Sequence, residues 1–167
     1  TTRLVGSEMC IRDRNQNKAS FNAKNNTTVT GMQYKAAEGF TLAFQNGWEK
    51  EAYTNGKIWQ VATLRPGKYR LEVTYAYTMV VSDAGNFISA LMAKGNSESD
   101  IPNVADIEQL NGVCAIYDKA GTNDDSGVLV TPSFEVTETA DVVIGFLTSL
   151  AKGNSYFKVT ELKLILE

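Results

Sequence analysis

The stretch KYRLEVTYAYTMV, residues 68–80, decides the fold. Tyr69, Leu71, Val73, Tyr75, Tyr77 and Met79 alternate strictly with Arg70, Glu72, Thr74, Ala76 and Thr78. A period of two puts the first set on one face of a half-buried strand and the second on the other. Just before it, LRPGKY places Pro66-Gly67 where a type II turn wants its two central residues. Further upstream, Asn55-Gly56 in TNGK reads as a tight turn ahead of the strand KIWQVATL, residues 57–64.

The same grammar continues along the chain. FISALMA (87–93) is bounded by residues 83–86 and by Gly95. VLVTPSFEV (128–136) carries Pro132, which predicts an edge strand or a bulge. DVVIGFLTSL (141–150) is apolar on both faces and is expected at the centre of a sheet. YFKVTELKLIL (156–166) changes phase: Phe157 and Val159 share one face, then Leu162, Leu164 and Leu166 run one residue out of step. A bulge at Thr160-Glu161 reconciles the halves. Residues 95–127 are the least regular, with a helical turn predicted at VADIEQL (104–110) and a strand at 113–117. Long irregular segments in a compact domain are functional or mobile more often than not. Many short strands with Gly/Asn punctuation predict an all-β sandwich of two antiparallel sheets. Leu71, Val73, Val143, Phe146, Phe157 and Leu164 are the expected shared core.

The N-terminus reads differently. RLVGSEMCIRDR (3–14) has neither a helical stripe nor strand alternation, and it lacks the apolar core of a signal peptide. It resembles the conceptual translation of a transposon-end sequencing adaptor, as an environmental assembly would carry it. Residues 1–14 are therefore expected to be an artefact standing in place of the true N-terminus. Residues 15–26 read as a polar linker and 27–167 as the β-sandwich domain. Removing Arg3, Arg12 and Arg14 together with Glu8 and Asp13 takes the net charge from −3 to −4. That acidity argues against a nucleic-acid surface, which needs clustered Lys and Arg. No apolar run reaches the ~18 residues of a membrane span.

The 167-residue chain has no histidine. This excludes a Ser-His-Asp triad, a His-bearing zinc site and a histidine general base. Without Cys10 the only cysteine is Cys114, so no internal disulfide forms, and Cys114 reads as a small buried apolar residue.

Three stretches together resemble a known family: GWEKEAYTNGKIWQVATLRPGKYRLEVTY, FEVTETADVVIGFLTSL and GNSYFKVTELKLIL. The pattern falls on Gly47-Trp48, on Asn55 to Gln60, on Leu64 to Tyr69 and on Asn154 to Leu164. It is similar to a domain-of-unknown-function family found at the C-terminus of surface lipoproteins in Bacteroidetes-type bacteria. That family in turn resembles galactose-binding-like jelly-roll modules. The likeness spans residues 40–167 and departs from the pattern at Arg65-Pro66-Gly67-Lys68. It implies a jelly-roll β-sandwich, an extracellular or cell-surface location, glycan as partner, and other domains of a longer surface protein as neighbours.

Sugar-binding sites stack aromatic faces on the apolar C–H face of a pyranose and pair its hydroxyls with amide or charged groups. On that chemistry the ligand-binding candidates are Trp48, Tyr53, Trp59, Tyr117, Asn154 and Tyr156. The loop of Trp48, Glu49 and Tyr53 is expected to form one wall of a shallow site, with Asn154 and Tyr156 opposite. Tyr69, Tyr75 and Tyr77 read as core or sheet face. Asp118, Asp124 and Asp125, with Asn123, offer oxygen ligands to a structural calcium, although their spacing is not that of an EF-hand. Related jelly rolls carry calcium on an acidic residue of the last strand, a place that falls here on Thr160-Glu161. No cofactor is expected beyond that ion. Acidic residues sit in turns with none of the visible pairing that glycoside hydrolysis requires, so a non-catalytic carbohydrate-binding module is the first expectation. A structural or adhesion sandwich that packs on other domains is the second.

Overall fold

The structure is a computed structural model that describes strand residues 15–16, 31–35 and 40–46 and residues 52–82, 85–151 and 155–167. Eleven strands run in chain order: β1 (Asn15–Gln16), β2 (Gly31–Lys35), β3 (Phe40–Asn46), β4 (Tyr53–Leu64), β5 (Gly67–Thr78), β6 (Phe87–Lys94), β7 (Gly112–Ile116), β8 (Asp125–Val130), β9 (Phe134–Val136), β10 (Ala140–Leu150) and β11 (Ser155–Leu166). They form two sheets in which every pairing is antiparallel. Sheet A has the order β1-β4-β10-β6-β7, and sheet B the order β2-β3-β11-β5-β8 with β9 also on β5. The all-β, two-sheet expectation is what the chain adopts.

β10 lies in the middle of sheet A, as its two apolar faces require. Ile144 and Phe146 face sheet B and join Leu71, Val73, Phe157 and Leu164 in the main core. Phe44, Phe146 and Phe157 pack ring to ring there, with centroids 5.0 and 6.4 Å apart. Val143 is equally buried but belongs elsewhere. It lies on the outer side of sheet A with Trp59, Leu91, Leu147 and Ile101. Residues one apart on a strand point to opposite faces, so Val143 cannot share a core with Ile144.

That outer face is covered by the segment that looked least regular. Two short 3-10 helices, Glu98–Asp100 and Val104–Gln109, bring Ile101, Val104, Ile107 and Leu110 onto it. The Asp100 carboxylate ties the first of them by accepting from the Asn96 and Ser97 backbone N–H groups and from the Ser97 hydroxyl. The cover is latched to the sheet by Asn55, whose Oδ1 accepts from the Val104 N–H at 2.8 Å.

Four local expectations change. Asn55-Gly56 lies inside β4 rather than in a turn: Asn55 has φ 53° and the pairing slips between Thr148 and Leu150. The result is a bulge. Glycine is needed next, because a Cβ on Gly56 would come within 2.7 Å of the Tyr53 ring. Pro66-Gly67 is not a hairpin turn, since β4 and β5 lie in different sheets and the chain crosses between them. Gly67 has no positive φ, as position i+2 of a type II turn would demand. Asn15 and Gln16, expected in a linker, pair with Trp59 and Ile58 at the edge of sheet A. Finally, β5 bulges: its register slips between Tyr75 and Thr78, and Tyr77 has φ 50°. Tyr77 therefore leaves the face of Leu71, Val73 and Tyr75, while Thr78 turns inward and is fully buried.

The phase change in the last strand is a register shift between Val159 and Glu161. Pro132 falls in the gap between β8 and β9 at the edge of sheet B.

Candidate functional site

One end of the sandwich gathers the close of β3 and the opening of β11, where Asn46 pairs with Ser155, and also the close of β10 and the opening of β4, where Leu150 pairs with Tyr53. Trp48, Glu49 and Asn154 follow or precede these strand ends in the chain but lie outside the described residues. The remaining candidates can be placed.

Three of the four aromatic candidates that can be placed are interior, which corrects the expectation that they are exposed. Tyr53 is 7% exposed, and its hydroxyl donates to Thr148 Oγ1 at 3.0 Å. Burial raises its phenol well above the ordinary value, against a smaller opposite effect of the Thr148 bond. Trp59 is 7% exposed beneath the cover on sheet A, and its buried Nε1 finds no hydrogen-bond partner. Tyr117 packs on Tyr75 and Phe157, with ring centroids 5.4 and 5.2 Å away. Each fills a gap between layers that a strand or loop assignment cannot reveal.

Tyr117 and Tyr75 also dispose of the calcium expectation. Both hydroxyls donate to Asp125 Oδ2, at 2.9 and 3.1 Å, and Lys119 Nζ lies 3.6 Å from Oδ1. Burial would push the Asp125 carboxyl up. The hydrogen bonds from Tyr117 and Tyr75, the Lys119 charge and the Ser126 backbone N–H outweigh it and hold the group below the usual carboxylate range. Gly127 is required beside it, because a Cβ there would come within 2.8 Å of the Tyr75 hydroxyl. Asp118 and Asp124 are exposed. Among the described residues no three His, Cys, Asp or Glu side chains are placed to hold a metal ion. Asp118, Asp124 and Asp125 therefore do not form the anticipated calcium site, since the only one of them that turns inward is engaged by two phenols and an ammonium.

The outer side of sheet B holds the aromatic groups left at the surface. Tyr156 is half-buried on β11, and Lys158, two residues on and so on the same side, holds its Nζ 4.7 Å from the Tyr156 ring centroid. Met79 bridges Tyr156 through two backbone hydrogen bonds, Met79 N–H to Tyr156 O at 2.9 Å and Tyr156 N–H to Met79 O at 2.7 Å. Counting back along that register puts Tyr77 across from Lys158. Tyr77 is 62% exposed, the most exposed large apolar residue among those described. The bulge thus sets Tyr77, Lys158 and Tyr156 side by side. Strict alternation hides Tyr77, because nothing in the one-letter pattern marks where a strand will take an extra residue.

Carboxylates on this side are engaged. Glu72 and Glu167 hold Arg70 at 2.9 and 3.0 Å, and Glu161 holds Lys163 at 2.7 Å. Cys114 lies half-buried at the edge of the sheet A cluster, and burial raises its thiol, keeping it protonated.

Residues 11–145 match the family described as "Domain of unknown function (DUF5013)". No curated protein matches the chain. Among solved structures, the fold is similar to that of the carbohydrate-binding module TmCBM61 in complex with β-1,4-galactotriose. The TM-score is 0.50 at 11% sequence identity, covering 92% of this chain and 87% of that one.

Proposed function

This chain belongs to the DUF5013 family, and from that membership and its two-sheet sandwich we propose that it is a non-catalytic carbohydrate-binding module of an extracellular protein. The observation that carries the reading is Tyr77. A bulky residue at positive φ is uncommon and disfavoured, and here it turns a ring out of the core and into solvent beside Tyr156. Strained residues gather at ligand sites more than elsewhere, and bulges re-aim side chains at such sites. A fold shared with a module that is complexed with a galactotriose supports the same reading.

The platform is flat, so it buries little area, and sugar hydroxyls give up water for each hydrogen bond they make. Affinity near the millimolar scale, about −4 kcal/mol, fits such a site. Trp48 and Asn154 remain proposed ligand groups, because the strands that flank them end beside β11. The engaged state of the described carboxylates supports a binding role over hydrolysis. An extracellular location and a place among other domains of a surface lipoprotein follow from the same family likeness. Among the described residues no helix is long and apolar enough to cross a membrane.

A glycan array probed with the chain lacking residues 1–14, followed by titration of Tyr77→Ala and Trp48→Ala, tests the reading. Each substitution is expected to abolish measurable binding while leaving the melting temperature nearly unchanged. Binding unaffected by both would remove the platform. Unfolding of Trp48→Ala would make Trp48 a core residue.

A second reading has its own observation. Val128 and Val130, 54% and 45% exposed, stand on the outer side of the edge strand β8. That edge suits a structural or adhesion domain that docks on a neighbouring domain, and an array with no hits at all would favour it.

A further inference from the structure

Tyr156 does not offer a bare ring. The Lys158 ammonium sits 4.7 Å from its centroid, within the range of a cation–π contact, and covers one of its faces. A neutral pyranose that stacks on this face has to push the ammonium off and offers it only hydroxyls in return. A pyranose bearing a carboxylate or sulfate offers an ion pair in exchange, and the ring face it vacates becomes the stacking surface. Lys158 also lies across from Tyr77, so the same ammonium reaches a ligand lying along both rings. Farther along the sheet the charges are balanced locally, Arg70 by Glu72 and Glu167, and Lys163 by Glu161.

We propose that the Tyr77–Lys158–Tyr156 platform selects acidic glycans, with Lys158 moving from the Tyr156 ring to the sugar's anionic group. The proposal rests on the glycan-binding reading above and adds the ligand class to it. No bond is made or broken.

The test is calorimetric titration of the full chain with trigalacturonate, a sulfated galactan oligomer and neutral β-1,4-galactotriose, at low salt and at about 0.5 M salt. In low salt the acidic oligomers are expected to bind about fivefold more tightly than the neutral one, a ratio that one exposed ion pair supplies. At high salt, where screening shortens to a few ångströms, the ratio should approach one. Lys158→Met should erase the preference and leave galactotriose binding equal or tighter, because the Tyr156 face is uncovered. A preference for only one of the two acids narrows the anion to carboxylate or sulfate. Equal binding of acidic and neutral oligomers by the unaltered chain at low salt overturns the selectivity while leaving the platform intact. Binding of none of the three overturns the glycan reading and this inference with it. The salt series needs no variant, so it stands even if Lys158→Met fails to fold.

Discussion

A single dihedral angle separates Tyr77 from the other tyrosines of its strand. Tyr69 and Tyr75 are 8% and 3% exposed, whereas Tyr77, which the alternation assigns to the same face, is 62% exposed at φ 50°. Left-handed backbone costs a non-glycine residue roughly 1–2 kcal/mol, and little ring burial is available to offset it. Asparagine tolerates this region better than tyrosine. Tyr77→Asn is therefore expected to leave stability unchanged or raise it by about 0.5–1 kcal/mol, measured by urea unfolding, while glycan binding is lost. A fall of more than about 1 kcal/mol would show that the ring packs in the fold and is not held out for a ligand. Asp125 is the opposite case at this scale, a carboxylate whose partners are all internal. Tyr75, Tyr117 and Lys119 draw the start of β8 onto the core, and the spacing that suggested calcium serves that junction.

Among the elements, the segment 98–110 departs most from expectation. It presents no regular pattern, yet Ile101 is 1% exposed and packs with Trp59, Val143 and Leu147. Its physical necessity lies in β10. A central strand with two apolar faces needs a layer on each, and sheet B supplies only one. Ile101→Ala is accordingly expected to cost about 2–4 kcal/mol, close to the 2–5 kcal/mol expected for Leu71→Ala in the main core. Chemical denaturation of the two variants side by side measures this. A cost below about half a kcal/mol for Ile101→Ala would mean the cover is not part of the cooperative fold. The latch is as local as a hydrogen bond can be: Asn55 accepts from Val104 because the β4 bulge turns its amide toward the cover.

For the whole molecule the charge pattern predicts how stability responds to pH. The carboxyls of Asp125, Glu167 and Asp100 are held below their usual range, Glu167 chiefly by the Ser133 and Arg70 side chains and Asp100 chiefly by the Ser97 backbone N–H. Lowered groups bind fewer protons folded than unfolded, so the stability they contribute is present above the ordinary carboxylate value near 4. It is lost as pH falls through their lowered values. Tyr53, Tyr75 and Tyr117 are raised, each first by burial, so the folded chain keeps their protons longer than the unfolded one. Their contribution is full below about pH 10 and declines above it. Thermal melts from pH 2 to 11 should trace a plateau with both limbs, and Asp125→Asn should flatten the acid limb while lowering the plateau. An acid limb unchanged in Asp125→Asn would show that the Tyr75–Tyr117 pair does not depend on the charge.

Period-two alternation determined that this is a β protein, because side chains on a strand must alternate and only one face of a simple sandwich sheet meets the core. It placed β5, β6, β10 and β11, and the phase change at Thr160-Glu161 marked a bulge, since two rows out of step can be joined only by an extra residue. The absence of histidine removed several chemistries outright. Tertiary structure alone decided the rest. Whether an aromatic ring lies inside or outside depends on what the second sheet and the cover bring against it, so Tyr53, Trp59 and Tyr117 are interior although local sequence suggested a surface. Tyr77 is outside because one inserted residue in β5 inverts its face, and where a strand bulges is set by the register of both neighbours, β8 and β11, which no single stretch of chain contains.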